Sequence, residues 1–131
     1  MNELYYIASL LGNSLAEQKM TICTAESCTG GLLAKIITDT PGSSDYFAGG
    51  LVTYDNRVKV DLLKIPFSII KKEGAVSAAV ARRMAQQAGE NFEADIVGHK
   101  WTARAFIRPA NVEGVKDQAD NAVLERVLGA R

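Results

Sequence analysis

Ser27 stands in the run Thr24-Ala25-Glu26-Ser27-Cys28-Thr29-Gly30-Gly31. A short apolar stretch, Met20 to Thr24, leads into it, and a helical pattern, Leu32 to Ile37, leads out. That order puts a hydroxyl at a strand-to-helix turn, where backbone N–H groups and the positive end of a helix converge. A nucleophile that attacks a carbonyl needs an exposed oxygen and donors for the oxyanion it creates. Gly30 and Gly31 allow a ligand close to the backbone. Serine at a helix start more often caps the helix, so a nucleophile here must find a base elsewhere in the chain.

The chain has one histidine, His99, in a region with no clear period. A Ser-His-Asp triad is therefore not the expected arrangement. Lysine can take its place when burial lowers its pKa enough for it to accept a proton. The run Gly49-Gly50-Leu51-Val52-Thr53-Tyr54-Asp55-Asn56-Arg57-Val58-Lys59 supplies one. Tyr54 would end a strand, and Lys59 would lie about one turn into the next helix. Both can then face the end of the sheet that carries Ser27, and in layered α/β folds sites gather outside the carboxyl ends of strands. A lysine taken at random is a solvated surface residue, and Lys59 differs only in this placement. Cys28 is a neighbouring nucleophile, ranked below Ser27 because a thiol needs a histidine or cation beside it to form thiolate.

Other site chemistries find no matching pattern. There is no Gly-x-Gly-x-x-Gly turn, no Walker phosphate loop and no Cys/His set with zinc spacing. The Ser-x-x-Lys pattern would need lysine where Gly30 stands.

The elements that must position these residues follow from periodicity. Leu4, Ala8, Leu11 and Leu15 recur at helical spacing, which predicts a helix over 3–18. Residues 20–25 read as a strand, 29–39 as a helix ended by Pro41-Gly42, and Phe47 to Tyr54 as a strand. Asp55 suits the N-cap of a helix that stops before Pro66. The segment up to Lys72 is a short helical candidate. Ser77 suits the cap of a helix from 78 to about 90, with Val80, Met84 and Ala88 in one apolar row. Ala94 to Val97 is a short strand candidate, Ala103 to Ile107 a poor one, and 113–128 a last helix. The remainder of 98–112 is expected to be loop. Helices alternating with short apolar strands predict a single layered α/β/α domain.

Composition is that of a soluble globular chain: 131 residues, 47% apolar, with fifteen basic residues balancing fifteen acidic ones. Bulk charge gives no sign of a nucleic-acid partner. No run is long enough for a membrane span, and Met1-Asn2-Glu3-Leu4 lacks a signal peptide's basic start. Cys23 and Cys28 read as free thiols of a cytoplasmic protein. An uncovered sheet edge or helix face would suit a homodimer.

Four blocks together carry a resemblance. They are Thr24 to Gly31, Pro41-Gly42-Ser43-Ser44, Gly50-Leu51-Val52-Thr53-Tyr54 with Lys59, and Gly74-Ala75-Val76-Ser77. In this order and spacing the chain resembles the CinA C-terminal domain family of nicotinamide-nucleotide amidohydrolases, over about residues 1–97. The resemblance implies hydrolysis of nicotinamide mononucleotide to nicotinic acid mononucleotide and ammonia, with no metal or organic cofactor. It implies Ser27 as nucleophile, Lys59 as its base and Tyr54 as a supporting hydroxyl that relays a proton or fixes the lysine. Backbone N–H groups from Cys28 to Gly30 would hold the oxyanion. Cys28, Thr29, Gly30, Gly31 and Ser44 would contact the substrate.

After Asp95-Ile96-Val97 the pattern departs from the family. Gly98-His99-Lys100-Trp101-Thr102-Ala103 stands where the family has a Thr-Gly-x-x-Gly-Pro loop beside its active site. Arg104 and Arg108 are the substitutes available for phosphate binding. The departure motivates two other expectations: a catalytically impaired domain used for oligomerisation or partner binding, and an amidase for a different small substrate.

Overall fold

The computed structural model describes residues 2–99 and 104–107. The helix expected at 113–128, and Arg108, lie outside them. Four strands form one sheet in the order β2-β1-β3-β4: β1 (Ile22–Glu26), β2 (Phe47–Val52), β3 (Ile96–His99) and β4 (Arg104–Ile107). β1 is central and parallel to both β2 and β3, and β4 runs antiparallel to β3. The helices are α1 (Asn2–Gln18), α2 (Leu32–Thr38), α3 (Asn56–Leu63), α4 (Phe67–Glu73) and α5 (Ala78–Phe92).

A strand covered on both faces should be buried along its whole length, and every residue of β1 is buried. Cys23 and Ala25 face a cluster built from Leu63 of α3, Ile65, Ile70 of α4 and Val80, Met84, Ala85 and Ala88 of α5. Ile22 faces the other way, onto Leu15 of α1, Ile37 of α2 and Tyr46. The result is three layers, with α1 and α2 on one face and α3, α4 and α5 on the other. Each fully buried Leu, Ile or Val contributes about 1.5–3 kcal/mol, so these two clusters account for most of the sheet's hold on its helices.

Three glycines let the layers close. A Cβ on Gly12, inside α1, would run into the buried Tyr46 phenol. Glycine there costs about 1 kcal/mol in helix propensity, offset by the seating of the ring. In β2, a Cβ on Gly49 would lie 2.6 Å from the Phe92 ring of α5, and one on Gly50 would meet Thr24 Oγ1 and the Cβ of Ala34 on α2. β2 therefore lies flush against helices on both sides.

Local signals set several helix starts. The Asp55 side chain accepts from Arg57 N–H at 2.7 Å and begins α3. Ser77 Oγ accepts from Val80 N–H at 3.2 Å and begins α5. α2 starts at Leu32, not 29, because Thr29 to Gly31 form a turn. β1 and β3 each begin two residues later than the apolar pattern suggests. β3 continues to His99, into the segment expected to be loop, and pairs through its backbone with Arg104 of β4. No helix among the described residues is long and apolar enough to cross a membrane.

Candidate active site

Ser27 is the first residue after β1, at the carboxyl end of the central strand. Its Oγ lies 3.2 Å from Nζ of Lys59. The lysine is on the second turn of α3, and its first backbone bond, to the Asp55 carbonyl at 3.1 Å, ties it to the capped helix start. Its side chain turns inward, so the residue is only 1% exposed. Nζ donates to the Tyr54 carbonyl at 2.8 Å.

An ammonium in such a place is costly unless a carboxylate pairs with it. None does among the described residues, where Lys35 pairs with Asp39 and Arg57 with Asp55. Burial accordingly pushes the Lys59 pKa below its ordinary 10.5, against a weaker upward pull from Cys28 and Asp55. A neutral amine has two hydrogens and one lone pair. With one hydrogen on the Tyr54 carbonyl, the lone pair can face the Ser27 hydroxyl. This is the geometry a general base needs.

Tyr54 enters differently from the expectation. Its residue is 74% exposed, and its main-chain carbonyl, not its phenol, holds the lysine. Sequence cannot distinguish the two, because every residue brings the same carbonyl. Cys28 is exposed and Cys23 buried, both as free thiols. Burial raises the Cys23 thiol to about 12, which makes it inert.

The turn itself is tightly bonded. Gly30 N–H donates to the Ser27 carbonyl at 3.1 Å, and Leu32 N–H to the Thr29 carbonyl at 3.2 Å. Gly30 is therefore not an oxyanion donor in this arrangement. The N–H groups of Cys28 and Thr29 make no hydrogen bond among the described residues. Gly31 has φ 105°, a left-handed conformation that favours glycine, and Gly30 faces open space. The hydroxyl oxygen of Thr29 is buried without a hydrogen-bond partner.

Ser44 does not join this group. It lies in a single 3-10 turn, Ser43–Asp45, that leads into the start of β2. The carbonyl of the next residue but one, Tyr46, accepts from Ile22 N–H at the first residue of β1. Ser44 is thus at the amino end of the strand whose carboxyl end carries Ser27, a strand length of roughly 15 Å away. The block that carries Ser44 leads into β2 at that end of the sheet.

Glu26 is the residue that sequence reasoning passed over. It is 1% exposed, and its carboxylate accepts from Leu33 N–H at 2.8 Å and Ala34 N–H at 3.2 Å. The positive end of α2, expected to face the nucleophile, is thereby occupied by this carboxylate. With that end taken, the free N–H groups nearest Ser27 are those of Cys28 and Thr29 in the turn. One signal was readable: α2 has no acidic residue in its first turn and a glycine N-cap without a side-chain bond, so its orphan N–H groups need a partner from elsewhere.

A profile of the CinA C-terminal domain matches residues 5–97. A CinA-like protein from Desulfotalea psychrophila is 47% identical over 90 residues, which cover 69% of this chain and 22% of that protein. A CinA-like protein from Geotalea daltonii is 57% identical over 76 residues, 58% of this chain and 18% of the relative. The matched stretch thus spans about a fifth of the length of these curated relatives. Among solved structures, competence/damage inducible protein CihA from Agrobacterium tumefaciens superposes with a TM-score of 0.72 at 33% identity. It covers 73% of this chain and 58% of that one. The competence-damaged protein (CinA) superfamily protein from Escherichia coli gives a TM-score of 0.72 at 30% identity, over 73% of this chain and 56% of that one. With a layered α/β fold shared at this level and the family profile covering most of its length, the chain belongs to the CinA C-terminal domain family.

Proposed function

We propose that this domain is an amidohydrolase that converts nicotinamide mononucleotide to nicotinic acid mononucleotide and ammonia through a Ser27–Lys59 dyad. The observation that carries the reading is the buried, unpaired Lys59 amine 3.2 Å from Ser27 Oγ. The substrate itself comes from the resemblance of the four sequence blocks.

Neutral Lys59 takes the Ser27 proton as Oγ bonds to the carboxamide carbon, and the carbonyl electrons move onto oxygen. The Cys28 and Thr29 N–H groups hold that oxyanion. When the intermediate collapses, the Lys59 ammonium returns its proton to the departing nitrogen, which leaves as ammonia. Water then gives a proton to Lys59 and attacks the acyl carbon, and Ser27 leaves with that proton restored. The Tyr54 carbonyl keeps the lysine aimed through both halves. Neither half of the reaction needs a metal or an organic cofactor.

The test is direct. Purified protein is incubated with nicotinamide mononucleotide and ammonia is measured against a Ser27→Ala control. Release that depends on Ser27 is the expected result, and equal release from both proteins would remove the reading.

A further inference from the structure

A closed path of contacts runs through the site, and Glu26 is its junction. From Ser27 Oγ it passes to Lys59 Nζ at 3.2 Å and on to the Tyr54 carbonyl at 2.8 Å. Tyr54 follows Thr53, whose N–H donates at 2.8 Å to the Glu26 carbonyl. Glu26 precedes Ser27, and the path closes. The Glu26 side chain adds a second attachment, since its carboxylate holds the Leu33 and Ala34 N–H groups across the turn. The turn from Ser27 to Gly31 is thus pinned at both ends by one residue. Two of its five members are glycines at positive φ, Gly30 at 62° and Gly31 at 105°. Glycine has more backbone freedom than any other residue, so a turn built this way needs an external brace to keep Oγ within reach of Nζ. A displacement of about 1 Å is enough to cost on the order of a hundredfold in rate.

We propose that Glu26 is a positioning residue for the nucleophile: its carboxylate fixes the Ser27 turn against α2, while its carbonyl ties that turn to the segment carrying Tyr54 and Lys59. The proposal rests on the reading of Ser27 as nucleophile. It assigns no charge role to Glu26 at the reacting atoms, because the carboxylate is directed into the helix start.

Glu26→Gln keeps the size of the side chain and one oxygen to accept one of the two N–H bonds. Two readouts are compared with wild type: kcat and KM for nicotinamide mononucleotide, and the rate at which a fluorophosphonate probe labels Ser27. In the second, Oγ bonds to phosphorus, fluoride leaves and Lys59 takes the proton, so no natural substrate is needed. The expected result is a tenfold or greater loss in both kcat and labelling rate, with KM within threefold. A second variant removes the donor and leaves every side chain in place: leucic acid at position 33, which replaces the Leu33 N–H by an ester oxygen. It should lower both rates at least threefold. Rates within twofold of wild type in either folded variant would overturn the proposal, even if thermal stability falls, because a helix cap alone moves only stability. A wild type that labels at Ser27 but releases no ammonia would remove the substrate and leave the labelling ratio to decide Glu26. A wild type silent in both assays would overturn both readings.

Discussion

The Lys59 amine and the Ser27 hydroxyl are 32 positions apart in sequence and 3.2 Å apart in space. The contact joins the end of the central strand to a helix in the layer beneath it. Lys59 lies one turn before Leu63 on the buried face of α3, a position that packing alone would fill with an apolar side chain. An unpaired buried amine is a stability cost that function must explain.

Replacing Lys59 by methionine removes the base while keeping length and volume. Proton transfer by a positioned side chain is worth about 10²–10⁴-fold, and kcat for ammonia release should fall by that order. Thermal stability at neutral pH should stay level or rise, because the polar group is lost from an apolar setting. A variant that is both inactive and markedly less stable would assign Lys59 a structural role instead.

The lowered Lys59 pKa fixes the direction of two pH dependences. Only the neutral amine can take the serine proton, so kcat/KM should rise with pH through a midpoint below the ordinary lysine value and level off above it. For stability, the unfolded lysine titrates near 10.4. Between the depressed folded pKa and that value, the unfolded chain holds the proton and the folded chain does not. Unfolding then takes up protons, and stability rises with pH across this window. Below the folded pKa the penalty of the buried ammonium is present in full. Chemical denaturation of wild type and Lys59→Met across this range should therefore show a stability difference that shrinks as pH climbs. A constant difference would mean that the amine titrates no differently in the folded chain.

Tyr54→Phe separates the two ways in which Tyr54 could serve the lysine. The substitution deletes the phenol oxygen and keeps the carbonyl that accepts from Nζ at 2.8 Å. With the ring largely exposed, kcat should change by less than about threefold, since a lost solvent-facing hydroxyl carries little free energy. A loss of about a hundredfold would show that the phenol enters the reaction after substrate binds.

The parts of this arrangement that could be read from sequence are those set by neighbours in the chain. Apolar spacing placed α1, and the caps Asp55 and Ser77 placed α3 and α5, because these signals act within one or two turns. Lys59 was legible as a strand end plus one helical turn. Its holder was not, since a main-chain carbonyl has no letter of its own. The separation of Ser44 from Ser27 was hidden for a related reason: adjacency to a sequence block says nothing about which end of a sheet the chain has reached. Glu26 was hidden because its carboxylate crosses a turn to bond a helix that begins six residues later, a contact that no capping pattern of three-residue spacing contains.

The pairing of β1 with β2 carries a further expectation at Thr24 and Gly50, which stand opposite each other in register. Thr24 Oγ1 is buried with no hydrogen-bond partner, and it fills the space that a Cβ on residue 50 would need. Gly50→Ala alone should destabilise the fold by about 1–3 kcal/mol, the usual cost of overpacking a tight core. Thr24→Ala alone leaves a small void and should cost about 1 kcal/mol. Together the new methyl occupies the space that the hydroxyl vacated, so the double variant should be more stable than the sum of the single effects by at least about 1 kcal/mol. Thermal or denaturant unfolding of the four proteins measures this coupling. Additive effects would mean that β2 moves away from β1 to admit the methyl, and the same movement would carry Thr53 from Glu26 and loosen the Tyr54 carbonyl from Lys59.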